Sequence, residues 1–223
     1  MSNNVMMANS ESVQLGADEA GRGPVIGPMV ICALMGNPAE LSAIGARDSK
    51  KLTPSKREML FSRISDASRW ELHVVSAHEI DEAVATSSLN RLELKHFAQL
   101  LSLFDIGNAF VDSPDVNEKR FSEELSRLCR KTVVAEHKAD EKYPSVSAAS
   151  IIAKVTRDRI IEDMKSEIGC DFGSGYPSDR KTVEYIENHV KRHSILPPFC
   201  RQSWETSKRI LSNSKIKSFE YFR

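Results

Sequence analysis

Residues 17–24, Ala-Asp-Glu-Ala-Gly-Arg-Gly-Pro, set two adjacent carboxylates directly ahead of a glycine-arginine-glycine turn. The preceding Val13-Gln14-Leu15-Gly16-Ala17 alternates apolar with small or polar side chains, the period of a half-buried strand, so a strand ends at the acidic pair. Successive strand side chains point to opposite faces. Asp18 and Glu19 therefore share one site only where the extended geometry breaks between them or just after. Gly21, Gly23 and Pro24 supply that break, and glycine lets the backbone approach a ligand closely while Arg22 adds a fixed positive fork. Standing alone, an Asp-Glu pair at a strand end reads as solvated charge.

Further acids in similar settings argue against that plain reading. Asn108-Ala109-Phe110-Val111-Asp112 is a short apolar run closed by an acid, and Ser113-Pro114-Asp115 ends it with turn chemistry. Thr132-Val133-Val134-Ala135-Glu136 is a second such run, after which Asp140 falls in the strand-to-helix turn before Tyr143-Pro144. Clustered carboxylates repel one another unless cations bind between them. Hard divalent ions such as Mg²⁺ or Mn²⁺ take oxygen ligands of this kind, and two of them about 3.5–4 Å apart suit an in-line phosphoryl displacement. Asp115, Glu136 and Glu141 neighbour these acids and are expected to be solvated surface charges.

The remaining sequence describes one α/β domain with a helical C-terminal extension. Val25 to Met35 is a long apolar segment expected to continue the sheet, and Trp70 to Val75 reads as a third strand. Thr53-Pro54-Ser55 begins a helix. Leu89, Leu92, Phe97, Leu100, Leu101 and Phe104 recur at helical spacing, as do Val146, Ala149, Ala153, Ile160, Met164 and Ile168 in a longer helix. A glycine-rich loop spans 171–179, and helices are expected at about 179–192 and 203–212.

Composition narrows the class of protein. The 223 residues are 40% hydrophobic and 28% charged, ordinary for a globular chain. No apolar run nears the roughly 18 residues of a membrane-crossing helix, and the first dozen residues lack the basic start and apolar core of a secretory signal. A cytoplasmic location is expected. Cys32, Cys129, Cys170 and Cys200 are irregularly spaced without a Cys-x-x-Cys pair, so they are expected to be reduced structural thiols. His189 and His193 share a helical face, yet Lys191 and Arg192 stand between them and no third ligand follows, so they are not expected to bind metal. Net charge is zero, with 31 basic and 31 acidic residues, but residues 180–217 hold nine Lys/Arg against three Glu. Basic residues there would hold a phosphate backbone beside an acidic, metal-neutralised centre. About half of them are expected to be solvated helix faces.

The segment Asp18-Glu19-Ala20-Gly21-Arg22-Gly23-Pro24 with Val25-Ile26-Gly27-Pro28 resembles the signature of type 2 ribonuclease H, ribonuclease HII. The likeness continues, in the family's order, through Asp48-Ser49-Lys50-Lys51-Leu52, Val111-Asp112, Lys138 to Tyr143, Ser147 to Lys154 and Gly175-Tyr176-Pro177-Ser178. The stretch Leu196 to Thr206 is similar to the archaeal branch. The resemblance implies a ribonuclease H-like α/β fold, with a mixed five-stranded sheet flanked by helices and a helical C-terminal extension. It divides the chain into a tail at 1–12, a catalytic domain at 13–170, a helical region completing the substrate groove at 171–213, and a tail at 214–223.

By the same resemblance, Asp18, Glu19, Asp112 and Asp140 are the catalytic carboxylates binding two divalent ions, Mg²⁺ or Mn²⁺. Gly21, Arg22 and Gly23 sense the ribose 2′-hydroxyl, the group that distinguishes RNA from DNA. Tyr176 contacts the same sugar, and Lys50 contacts phosphate. The implied reaction is hydrolysis of the RNA strand of RNA/DNA hybrids, and incision at ribonucleotides embedded in duplex DNA, by a monomer. Another clustered-acid nucleic-acid enzyme of the same superfamily and an inactive hybrid-binding subunit are the alternatives. Lys217-Ser218-Phe219-Glu220-Tyr221-Phe222-Arg223 resembles the short peptide by which repair enzymes dock on the sliding clamp, with Phe219 and Phe222 as anchors. Ile216 stands where glutamine is usual, and packing of these aromatics on the chain itself is the alternative.

Overall fold

The computed structural model describes residues 13–45 and 53–220; the side chains at 54 and 215–220 fall outside that description. In chain order the elements are β1 (Gln14–Ala20), β2 (Met29–Gly36), α1 (Pro38–Ile44), α2 (Pro54–Ala67), β3 (Ser68–Val75), α3 (Ala77–Thr86), α4 (Leu89–Leu101), β4 (Asn108–Asp112), α5 (Glu118–Cys129), β5 (Thr132–Glu136), α6 (Ala139–Lys142), α7 (Pro144–Ile168), α8 (Arg180–His193) and α9 (Glu205–Glu220). The strands form a mixed five-stranded sheet in the order β3-β2-β1-β4-β5. Two compact units emerge: residues 13–20, 31–45, 53–73 and 93–155 in one, and 21–30, 74–92 and 156–220 in the other.

In the first unit β4 pairs in parallel with both β1 and β5. Strand β2, all but one of whose residues are buried, reads as a continuous apolar run, whereas β4 and β5 alternate buried positions with exposed or half-buried ones. Helix α5 packs on β5, and Phe97 meets Phe121 edge to face at 6.3 Å. Helix α7 begins hard against β1. A Cβ added at Gly16 would lie 2.4 Å from the backbone nitrogen of Val146, so only glycine admits that approach. Gln14 completes the joint: its Oε1 accepts from the Ser145 backbone N–H at 3.1 Å and hydroxyl at 2.9 Å.

The second unit has its own apolar cluster of Val25, Ile26, Ile161, Phe172, Ile186, Val190 and neighbours. The rings of Phe172, Tyr185 and Phe199 pack at centroid distances of 5.6–6.2 Å, and α8 lies against α9. Asp179 caps α8 by accepting from the Lys181 N–H, which fixes where the glycine-rich loop gives way to helix.

The sequence expectations differ from this architecture at five places. Residues 25–28 do not continue the sheet; β2 starts at Met29, because the carbonyls of Ile26, Gly27 and Pro28 are taken by buried arginine side chains instead of a neighbouring strand. Helices α1 and α3 were not anticipated. The last helix runs on from 212 to Glu220. Asp115 is buried and not solvated: it accepts from the Asn117 N–H at 2.8 Å and pairs with Arg120 at 2.5 Å, which fastens the β4–α5 turn. No helix among the described residues is long and apolar enough to cross a membrane.

Candidate active site

Parallel pairing fixes the acidic centre of the first unit. Gly16 faces Phe110 and Ala17 faces Val111, so one residue further on Asp18 comes alongside Asp112, both side chains leaving the same face. Asp112 faces Glu136 in turn. Strand β5 then leads through Lys138, which adopts a left-handed conformation with φ of 59°, into the short helix α6 that carries Asp140. Asp112 Oδ1 accepts from the Ala139 N–H at 2.9 Å, tying the start of α6 to the end of β4. Asp18 is 4% exposed and Asp140 5%.

Electrostatics follow from this packing. Burial, reinforced by the facing carboxylates of Asp112 and Asp140, pushes the Asp18 carboxyl up to about 8. Hydrogen bonds from the Ser150 hydroxyl and the Glu19 N–H act in the opposite sense. Ser150 stands on α7, so the Gly16 contact that seats this helix also sets the bond to Asp18. Glu136 shares the row but is differently employed. Lys142 and Tyr143 bind its carboxylate, and the Lys142 ammonium holds it below the ordinary range. Glu141 is exposed beside Lys138.

Asp18, Asp112 and Asp140 act on one another through their charges and offer only oxygen, the donor chemistry that a hard divalent ion takes. Strand β1, by contrast, stays extended through Glu19 and directs that side chain to the other face, so the structure does not bring all four together. Among the described residues, no three or more His, Cys, Asp or Glu side chains stand close enough together to hold a metal ion as they are placed; the rings of His189 and His193 lie 4.6 Å apart. Neutralising the mutual repulsion around Asp18 is what an ion would contribute.

The second unit contains the Gly21-Arg22-Gly23 turn. Gly21, with φ of 90°, follows Ala20, the last residue of β1. Two buried arginines that the sequence reading did not single out hold this loop from inside. Arg201, fully buried, donates to the carbonyls of Gly21 at 2.6 Å, Arg22 at 2.8 Å and Gly27 at 3.0 Å. Arg157 donates to those of Pro28 at 3.0 Å and Ile26 at 3.2 Å. Trp204 Nε1 donates to the Gly23 carbonyl at 3.0 Å. Across a trans peptide the C=O and the following N–H point in opposite directions. Turning the carbonyls of Gly21 and Arg22 toward Arg201 therefore aims the N–H groups of Arg22 and Gly23 the other way, an arrangement suited to receiving an oxygen. Arg201 was counted among the basic residues available to phosphate, and its burial corrects that.

The structure also brings Tyr176 to this turn. The Gly175 carbonyl accepts from the N–H groups of Val25 at 2.8 Å and Ile26 at 3.1 Å. A Cβ on Gly23 would lie 3.8 Å from the Tyr176 ring, and the Arg157 guanidinium sits 5.7 Å from its centroid. The ring is thus anchored beside the glycines through its own backbone. Asn90 accepts from Arg22 Nη2 at 2.6 Å. Lys50, with the Asp48 to Leu52 segment, lies outside the described residues. Cys32, Cys129 and Cys200 are buried free thiols, and Cys170 is an exposed one.

The raised Asp18 pKa makes stability pH-dependent in a definite sense. Between its ordinary value of 3.8 and about 8 the folded chain keeps a proton that the unfolded chain releases, so this group's contribution to stability is lost as pH rises through that window. In EDTA, Asp18→Asn should melt above the parent at pH 8.5, by several degrees at about 2–4 °C per kcal/mol for a chain of this size, with the difference shrinking toward pH 5. Thermal melts across that range check it; a pH-independent difference would contradict the reading.

Residues 15–207 match the family model described as Ribonuclease HII. Ribonuclease HII of Pyrococcus furiosus is 45% identical over 210 residues, covering 91% of this chain and 92% of that protein. Among solved structures, the ribonuclease H2 of Pyrococcus horikoshii OT3 superposes with a TM-score of 0.85 at 45% identity, covering 91% of this chain and 99% of that one. The RNase HII from Archaeoglobus fulgidus, solved as a complex with PCNA, gives 0.83 at 42% identity, with 88% and 96% covered. With likeness of this extent added to the buried carboxylate row, the chain belongs to the ribonuclease HII family, as an endoribonuclease of its archaeal branch.

Proposed function

We propose that this chain cleaves the RNA strand of RNA/DNA hybrids and incises duplex DNA at embedded ribonucleotides, leaving a 3′-hydroxyl and a 5′-phosphate. The observation that supports it most is the placement of Asp18 beside Asp112 with Asp140 close enough to raise its pKa. Asp18, Glu19, Asp112 and Asp140 would hold two divalent ions, Mg²⁺ or Mn²⁺. When bound, such ions activate the attacking water and stabilise the leaving oxygen. The chain's own part is positional. Ser150 and the Glu19 N–H orient the Asp18 carboxylate, and the Ala139 N–H orients that of Asp112. The N–H groups of Arg22 and Gly23 and the ring of Tyr176 receive the ribose carrying the 2′-hydroxyl, while Lys50 meets phosphate. A cytoplasmic monomer suffices for this activity.

Cleavage of end-labelled all-DNA, hybrid and single-ribonucleotide duplexes, with and without Mg²⁺ or Mn²⁺, tests the proposal. The parent should cut the last two substrates, and only with a divalent ion. Asp112→Asn and Asp140→Asn should each lower turnover by about 10³-fold or more, since each removes charge that holds an ion without changing side-chain volume. Parent-like turnover by either variant would remove that residue from the site. Cleavage of all-DNA duplex would contradict the substrate assignment.

We further infer that the C-terminal segment docks on a sliding clamp. The complex of PCNA with the Archaeoglobus fulgidus RNase HII supports it. So does the anchor pattern of Phe219 and Phe222, whose side chains lie outside the described residues. The full chain should be retained by the organism's own clamp in a pull-down, and a chain ending at Lys217 should not. Equal retention, or none by either, would contradict docking through this segment.

A further inference from the structure

The carbonyls of Gly21, Arg22 and Gly23 are held by Arg201 and Trp204, which flank a two-residue turn, Gln202-Ser203. Something must fix that turn, because a guanidinium and an indole holding three successive carbonyls at 2.6–3.0 Å tolerate little displacement of their own backbone. The Arg201 N–H is held by the Val25 carbonyl at 2.8 Å and the Trp204 N–H by that of Arg201 at 3.3 Å; between them, the group that fixes Gln202 and Ser203 is a carboxylate. Asp81, on the half-buried side of α3, accepts from the Gln202 N–H at 2.7 Å through Oδ2 and from the Ser203 N–H at 2.9 Å through Oδ1, which also accepts from the Ser203 hydroxyl. Both of its oxygens are committed to this one turn. Nothing in the motif pattern of the sequence marks Asp81, and it stands 121 residues from its partner.

We propose that Asp81 is a positioning residue for ribonucleotide selection, acting through the Arg201–Trp204 turn on the backbone that carries the Arg22 and Gly23 N–H groups. The inference rests on the reading that these N–H groups receive the 2′-hydroxyl-bearing sugar. Charge-assisted bonds to consecutive backbone N–H groups are strong and directional, so the carboxylate sets both the angle and the depth of the turn. Removing it frees residues 202 and 203, so that the turn pivots about Arg201, which the Val25 carbonyl still holds, Trp204 shifts away from the Gly23 carbonyl, and the N–H pair is misplaced. Misplacement by about 1 Å costs on the order of 100-fold in a positioned reaction. Duplex affinity is set by phosphate contacts made elsewhere and is not expected to follow. Asn90, which accepts from the Arg22 side chain, comes from the same 74–92 stretch and acts on the same turn from its other end.

The experiment compares the full-length parent with Asp81→Ala, the milder Asp81→Asn, which keeps an acceptor for Ser203, and Glu82→Ala, an exposed neighbour on the same helix. Single-turnover cleavage of a single-ribonucleotide duplex is measured beside its binding affinity. Backbone N–H shifts of Arg22 and Gly23 are recorded on adding that duplex or its all-DNA counterpart. The expected result is a tenfold or greater loss of cleavage rate in Asp81→Ala, a smaller loss in Asp81→Asn, affinity within about twofold of the parent, and parent-like behaviour of Glu82→Ala. Trp204 emission should shift in the Asp81 variants. Undiminished cleavage by a folded Asp81→Ala or Asp81→Asn, or a loss of affinity equal to the loss of rate, would overturn the proposal. If the parent's Arg22 and Gly23 N–H shifts fail to distinguish the ribonucleotide duplex from DNA, the underlying reading of the turn fails instead.

Discussion

The register between β1 and β4 is the constraint on which the acidic centre depends. Parallel pairing with Ala17 opposite Val111 leaves no freedom in where Asp18 goes: it must emerge next to Asp112, on the same face, at the same edge of the sheet. A slip of one residue would turn Asp18 inward and bring Glu19 into its place. The register is protected by what surrounds it. Ala17 and Val111 are fully buried, and Gly16 lets α7 settle directly onto β1, held there by Gln14. The fold thus buries the Asp18 carboxyl beside Asp112 and Asp140, and its pKa is raised by that burial first and by the neighbouring charges second.

A different principle builds the turn at Gly21-Arg22-Gly23. Here no carboxylate is displayed; side chains fix the direction of the backbone. Arg157 and Arg201 draw five carbonyls of the Gly21 to Pro28 stretch inward, and the geometry of the peptide bond then decides where the N–H groups face. On the proposed reading, in which these backbone donors receive a hydroxyl, such bracing is required, because a hydroxyl is recognised by where donors stand and not by charge. It also explains Gly21. Arg157 Nε lies 2.2 Å from where a Gly21 Cβ would be, so a side chain there would expel the arginine that holds the loop.

Much of the first unit was legible because local and tertiary signals agree there. The runs closing at Asp112 and Glu136 end where β4 and β5 end, since alternation, β-branched residues and the following turn chemistry all point to one boundary. The long helix α7 was legible from its apolar spacing. Helix α3 was missed although Ser76-Ala77-His78-Glu79 carries a capping-box pattern, and Ser76 does accept from the Glu79 N–H at 3.1 Å. The C-terminal basic cluster misled at Arg201, whose type suggests a phosphate partner and whose burial assigns it to carbonyls. The bracing of the Gly21 turn was not legible at all. Arg201 and Gly21 are 180 residues apart, and nothing local in either segment announces the other.

Under the proposed function the two arrangements would divide two tasks, holding ions where a phosphodiester is cut and recognising the sugar that qualifies it for cutting. The first is built from buried charge at strand ends, the second from braced backbone. The central claim is that the strand-end carboxylates are a repulsive set completed by divalent ions. Calorimetric titration of Mn²⁺ into the parent and into Asp112→Asn tests it most directly. The account predicts binding of about two ions by the parent and loss of at least one of these events in the variant, with the fold intact by circular dichroism. Binding of Mn²⁺ by Asp112→Asn with the parent's stoichiometry and affinity would contradict it.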